Sequence, residues 1–298
     1  MILELDILIR RHIIMSKSYT KDSVTSKDGT NIGYREMGNG PGIILLHGGV
    51  NASQNLMKLG TMLSDEFTVY IPDRRGRGMS GPYGDNYSIQ KEDEDLDAIL
   101  KKTDAHYVFG TADGALFALH AAISNKNIHK VAAYEPLVFV GQDGLDEFKA
   151  GIEHFNKNMA TGNAAKAVVG LTKDSAKFLK IIPDFIAVPV VKLVLWRNTR
   201  NVKGDDVAYQ DLVPTLQQEL AVVRKTEGTL GNYKNVKSEV LLLIGSKTLS
   251  IIKDSLIALN KTIPNSNLVE LKGLNHDSAQ DYGKPEPIAQ ELKHFFLE

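Results

Sequence analysis

Tyr107-Val108-Phe109-Gly110-Thr111-Ala112-Asp113-Gly114-Ala115 decides the fold. An apolar run from His106 to Phe109 reads as a strand, and the alanine- and leucine-rich run from Gly114 to Ser124 reads as a helix. The turn between them has the spacing of G-x-S-x-G, the nucleophile elbow, a strained strand-to-helix turn. Its two glycines let strand and helix approach closely. Gly110 and Gly114 hold those positions, but the residue between them is Ala112 rather than Ser, Cys or Asp. A methyl group cannot attack a carbonyl, so the scaffold of a covalent catalyst is present without its central atom.

Outward from the elbow, strand and helix patterns alternate. Ile32 to Glu36, Ile43 to Leu46, Phe67 to Ile71 and Val131 to Tyr134 read as strands. Ser53 to Leu63 and Gln90 to Lys102 read as helices, the second acid-rich at its start and basic at its end, as the helix dipole favours. From about 137 to 237 the patterns are helical and no strand is convincing. Alternation resumes with a strand at Val240 to Ile244, a helix near Ile251 to Leu259, a strand at Asn267 to Leu271 and a helix from about Pro287 to Phe296. Apolar strands alternating with helices imply an α/β fold, a mostly parallel sheet covered on both faces. The expected division is an N-terminal extension over 1–14, a core over 15–136 and 238–298, and a helical cap over 137–237, inserted after the strand that ends at Tyr134. Met15-Ser16-Lys17-Ser18 resembles a natural start, which is why 1–14 is set apart.

Composition narrows the function. The chain has 298 residues, a net charge of −1 and 43% hydrophobic residues, enough for one large domain with an insertion. Near-neutral charge offers no general attraction to nucleic acid or membranes, so neither is expected as a partner. With no cysteine, disulfides, thiolate metal sites and cysteine nucleophiles are excluded, and a cytoplasmic location is expected. The longest apolar stretch, Ile181 to Trp196, is interrupted by Asp184, Lys192, Pro183 and Pro189 and is too broken to span a bilayer. Gly76-Arg77-Gly78-Met79-Ser80-Gly81 fits G-x-G-x-x-G, but loop residues follow where a dinucleotide site needs a helix. No P-loop or H-E-x-x-H motif occurs, and no metal or cofactor is expected.

Four segments in order carry a resemblance: Leu45-Leu46-His47-Gly48-Gly49, Asp73-Arg74-Arg75-Gly76-Arg77-Gly78-Met79-Ser80, the elbow, and Gly273-Leu274-Asn275-His276. Together they resemble the α/β-hydrolase fold, from about residue 20 to the end. The resemblance implies that His276 is the general base. It implies that Gly49 and the backbone N–H of Asp113 form the oxyanion hole, which survives any change of side chain. Many members carry an aspartate after the seventh strand, where Gly245-Ser246-Lys247-Thr248 stands here without a carboxylate. Some haloalkane dehalogenases and zearalenone-type lactonases place the acid after the sixth strand instead, which points to Glu135 in Ala133-Tyr134-Glu135-Pro136. Asp277, beside His276 in the chain, is a poor rival. A turn shifted by one residue would make Asp113 the nucleophile but would waste both glycines. Arg74, Arg75 and Arg77 are expected to tie loops rather than bind anions.

The cap should roof the pocket. Gly48, Val50, Leu137, Phe185 and Trp196 are the expected substrate contacts, with Phe148, Phe155, Phe178, Leu193 and Leu195 as further candidates. An apolar cap suggests an ester or lactone with an apolar body. Two accounts of Ala112 stand open. In one, serine is the natural residue and this chain is an inactivated variant, since every other part of a Ser-His-acid site is retained. In the other, Ala112 is natural and the protein binds or signals through a small molecule on a hydrolase scaffold. A third reading has His276 activate water or remove a substrate proton without a covalent step. The assembly expected is a monomer or homodimer.

Overall fold

The computed structural model describes residues 18–138, 142–175 and 181–298. The extension over 1–14 and Phe178 lie outside them, as does the side chain of Phe148. Eight strands form one sheet: β1 (Thr20–Thr25), β2 (Asn31–Met37), β3 (Gly42–Leu46), β4 (Thr68–Pro72), β5 (Tyr107–Thr111), β6 (Lys130–Tyr134), β7 (Glu239–Gly245) and β8 (Ser266–Leu271). Their spatial order is β1-β2-β4-β3-β5-β6-β7-β8. β2 runs antiparallel to both β1 and β4, and every other pairing is parallel.

The strand sequences explain this layering. β3, β5, β6 and β7 are buried almost throughout, because helices cover both faces and neither side of the strand meets water. Alternate residues serve opposite faces: Ile44, Leu46, Val108, Ala133 and Leu242 join one core, and Ile43, Leu45, Phe109, Tyr134 and Leu243 join the other. β1, absent from the sequence reading, is polar (Thr-Lys-Asp-Ser-Val-Thr) and mostly exposed. A polar edge strand resists pairing with other chains, and the same polarity hides it from a search for apolar runs.

The helices are α1 (Met57–Leu63), α2 (Ile89–Thr103), α3 (Asp113–Ala121), α4 (Gln142–Ala160), α5 (Ala164–Ser175), α6 (Asp184–Asn201), α7 (Thr215–Arg224), α8 (Ser250–Thr262) and α9 (Glu286–Leu297). A 3₁₀ turn at Ser53–Leu56 leads into α1, and a helical turn at Tyr209–Leu212 precedes α7. Helices α4 to α7 all fall between β6 and β7, and no strand lies between those two among the described residues. They hold a small cluster of their own, with Ile152, Phe155, Ala167, Val213 and Leu220 buried and Val50 and Leu216 packed against it. β3, β5, β6, β7 and β8 are parallel, so the residues that follow them emerge along one edge of the sheet. No helix among the described residues is long and apolar enough to cross a membrane.

Candidate active site

Ala112 stands at the head of α3 with φ 54° and ψ −121°, a conformation that L-residues adopt only where the surroundings enforce it. Its N–H donates to the Tyr134 carbonyl at 3.0 Å, and its carbonyl accepts from the N–H groups of Leu116 (3.2 Å) and Leu137 (3.3 Å). The flanking glycines are steric necessities. A Cβ on Gly110 would lie 2.4 Å from the Gly114 carbonyl oxygen, and one on Gly114 would lie 2.5 Å from that of His47. The strained turn is therefore centred on Ala112. Asp113 is the first helical residue, and its N–H has no acceptor within the helix.

His276, on the loop after β8, meets Glu135, which follows β6. The ring Nδ1 lies 2.8 Å from Glu135 Oε2. Glu135 is fully buried and its backbone is also left-handed, with φ 49°. Its other oxygen, Oε1, accepts the Gly245 N–H at 2.9 Å and the Thr248 hydroxyl. Both carboxylate oxygens are thus engaged, and the imidazole is held with Nδ1 as donor. Nε2 has no hydrogen-bond partner among the described residues. The ring is crowded by protein yet keeps 40% of its side-chain surface exposed. Burial alone would lower its pKa; the hydrogen bond and charge of Glu135, aided by Asp277 and Asp113, overcome this and raise it. Tyr134 steadies the loop by donating to the Asn275 carbonyl at 2.5 Å.

The third element is the Gly48–Gly49 turn after β3. A Cβ on Gly48 would lie 3.0 Å from Ala112 Cβ, so this turn abuts the elbow directly. His47, fully buried, pins it: Nδ1 lies 2.9 Å from the Gly48 carbonyl, and Nε2 accepts the Arg74 N–H at 3.2 Å. Burial, then the charges of Arg77 and Arg74, hold His47 well below its ordinary pKa, so it is neutral. Val50 takes φ 56°, rare for a β-branched residue.

Behind the turn lies a buried ionic cluster. Arg74 pairs with Glu92 at 3.1 Å, Asp113 at 2.9 Å and Glu219 at 3.2 Å, and stacks on Phe117 at 4.5 Å. Arg77 donates to the Asn51 carbonyl at 2.8 Å and to Glu219. Glu219 comes from α7 and carries the helical segment onto the turn: its Oε2 would lie 3.1 Å from a Cβ on Gly49. Burial, with repulsion from Asp113, pushes Glu219 up to about 7 against the pull of Arg77 and Arg74. Glu219 Oε2 and Asp113 Oδ1 are buried without a hydrogen-bond partner. Arg75 is tied separately to Asp95 and Asp28. The three arginines do tie loops, and Gly76 to Gly81 remains a loop.

Ala112, Glu135, His276, Gly48, Gly49, Val50 and Leu137 therefore gather at one edge of the sheet, with the Asp113 carboxylate turned toward Arg74. Phe185 and Trp196 do not join them: α6 leaves Phe185 78% exposed and Trp196 48% exposed, with the Arg200 guanidinium over the Trp196 ring. Phe155 is packed inside the helical segment's own cluster. Thr248 is legible in the sequence only as the residue standing where many α/β hydrolases carry a carboxylate; in the structure its hydroxyl donates to the Glu135 carboxylate. Glu219 carried no sequence signal, because nothing in α7 marks the position that reaches a turn 170 residues earlier in the chain.

No family model matches the chain. Among curated proteins it is 30% identical over 137 residues to the uncharacterized hydrolase YraK of Bacillus subtilis, a match spanning 44% of this chain and 51% of that protein. Among solved structures it is similar to an α/β hydrolase from Sphaerobacter thermophilus, with TM-score 0.71 and 26% identity over 92% of this chain and 100% of the other. An esterase from Rhodococcus gives TM-score 0.68 and 18% identity over 94% and 98% of the two chains. With its mostly parallel eight-stranded sheet, its elbow at the tip of β5 and these neighbours, the chain belongs to the α/β-hydrolase superfamily.

Proposed function

We propose that the site is built for hydrolysis of a carboxylic ester or lactone with an apolar body, and that Ala112 is the single lesion in a Ser-His-Glu machine. The observation that carries this reading is Glu135. Its carboxylate is wholly buried, is bonded on both oxygens and is aimed at His276 Nδ1. A buried ion pair is weak evidence for stability in itself, and its evident use is to fix the imidazole's tautomer and stabilise its protonated form. With serine at position 112, His276 would take the hydroxyl proton as the oxygen attacks the carbonyl. The N–H groups of Gly49 and Asp113 would hold the oxyanion. His276 would return the proton to the leaving group and then activate water to free the acyl group. Residues 137–237 would form the cap, with Val50 and Leu137 lining the acyl site. No cofactor enters the scheme.

The test compares this chain with its Ala112→Ser variant on short and medium p-nitrophenyl esters. A burst followed by turnover only in the variant is the expected result. No turnover by either chain across the panel would overturn the reading. One observation favours a second reading: Ala112 itself, which lets the chain hold a ligand without cleaving it. In that case the Ala112 form binds an apolar small molecule tightly and serine adds no hydrolysis.

A further inference from the structure

Helix α6 is the one long helix among the described residues with no buried residue. Of the large apolar side chains left exposed among the described residues, most belong to it or immediately precede it: Ile181 (83%), Phe185 (78%), Ile186 (46%), Leu193 (48%) and Trp196 (48%). They do not scatter. At about 100° per residue, Phe185, Trp196, Pro189, Leu193 and Ile186 fall within one arc of roughly 140°, and Lys192, Arg200 and Arg197 fall inside or at the borders of the same arc. The helix has one acid, Asp184, and it lies outside that arc. The outward face is thus an apolar strip flanked by cations, with the Arg200 guanidinium stacked 4.0 Å over the Trp196 ring.

We infer that this face docks onto an anionic lipid surface, with α6 lying in the plane of the interface. A second copy of the chain is the poorer occupant: a two-fold contact would set Lys192, Arg197 and Arg200 against the same three cations with no acid to answer them. Anionic headgroups answer all three, while Phe185, Leu193 and Trp196 enter the apolar boundary and the long basic side chains reach back to the phosphates. The expectation of no membrane partner rested on the net charge of −1, which says nothing about how charge is distributed. α6 is also tied to the site. The chain leaving it is anchored by Lys21 to Asp205 (2.8 Å) and Arg35 to Asp206 (2.7 Å). Gln54 then exchanges hydrogen bonds with Val207, next to the turn that carries Gly49. The docking does not depend on the hydrolytic reading, and its test needs no turnover.

Trp196 is the only tryptophan of the chain, so its fluorescence reports this face alone. The full chain is mixed with vesicles of phosphatidylcholine, or of phosphatidylcholine with one-quarter phosphatidylglycerol. The expected result is a blue shift and co-sedimentation with the anionic vesicles, at least about tenfold weaker with neutral ones, and reversed by salt. Leu193→Asp and the paired Arg197→Glu, Arg200→Glu variants should each lose binding while keeping their circular dichroism. Three results would overturn the inference. One is an emission unmoved by anionic vesicles with no co-sedimentation. Another is equal binding to neutral vesicles. The third is an emission already blue without lipid in a dimer that Leu193→Asp dissociates, which would assign the face to a second copy.

Discussion

The strand tips and the helical segment between β6 and β7 meet at Gly49, and they are built on different terms. At the strand tips each functional group is held by several constraints at once: Ala112 by three backbone hydrogen bonds and two obligatory glycines, Glu135 by three donors. In the helical segment the shared core is small, α6 contributes no buried residue, and contact with the site runs through Glu219, Leu216 and the turn at Gln54. Chemistry that needs atoms held closely is placed where register and hydrogen bonds over-determine position. Surfaces that meet a variable partner are placed where little but local helix geometry constrains the side chain.

That contrast can be broken most directly at Ala112. Ala112→Ser should raise esterase turnover by about 10⁴-fold or more, the scale on which removing a nucleophile acts, measured as steady-state release of p-nitrophenol. Within that background, Glu135→Gln should cost about 10³- to 10⁴-fold in kcat by upsetting the imidazole's tautomer. The parent rate should rise with pH as His276 loses its proton, with an apparent pKa above the ordinary 6.5. Glu135→Gln should move that pKa down, since the hydrogen bond and charge that raise it are gone. A pH–rate profile for both chains reads this.

Packing gives the next largest contrast. Gly114→Val forces its added carbons onto the backbone of Leu46 and His47, where β3 ends, and should cost about 3 kcal/mol in urea unfolding. Leu193→Asp on the exposed face of α6 should change stability by no more than about 0.5 kcal/mol. A large loss at Leu193 would mean that α6 is packed more firmly than its exposure indicates.

The smallest effect is electrostatic. Glu219 and Asp281 are raised to about 7 and Asp95 to about 6, in each case first by burial. Between their ordinary values and these, the folded state binds protons that the unfolded state has released, so the stability these three carboxyls contribute falls as pH rises from about 5 to about 8. His276 adds a fall in the same direction, since its raised pKa gives stability that is lost as its proton leaves. His47, held neutral well below its ordinary value of 6.5, works the other way up to about that pH, because the unfolded ring takes a proton that the buried ring refuses. Urea midpoints should therefore decline above about pH 6.5, and Glu219→Gln should remove part of that slope.

The amino-acid order alone was enough for the sheet's interior strands and the elbow, and the resemblance carried by four motifs in order pointed to His276 and Glu135 as partners. Each depends on local signals: uninterrupted apolar runs, obligatory glycines, and residue types at fixed places after strands. The same resemblance favoured Glu135 over a later carboxylate, because Thr248 stands where many members carry their aspartate. Tertiary structure decided the rest. The polar edge strand β1 exists because β2 offers it a ladder, and no pattern of its own announces it. Thr248 became the clamp on Glu135, and Glu219 the buried carboxyl behind Gly49, because β6, β7 and α7 converge across more than a hundred residues of chain. Phe185 and Trp196 looked like pocket residues by composition and came out on the surface. Apolarity fixes a preference for leaving water, but which side of a helix finds protein is settled only when its neighbours are in place.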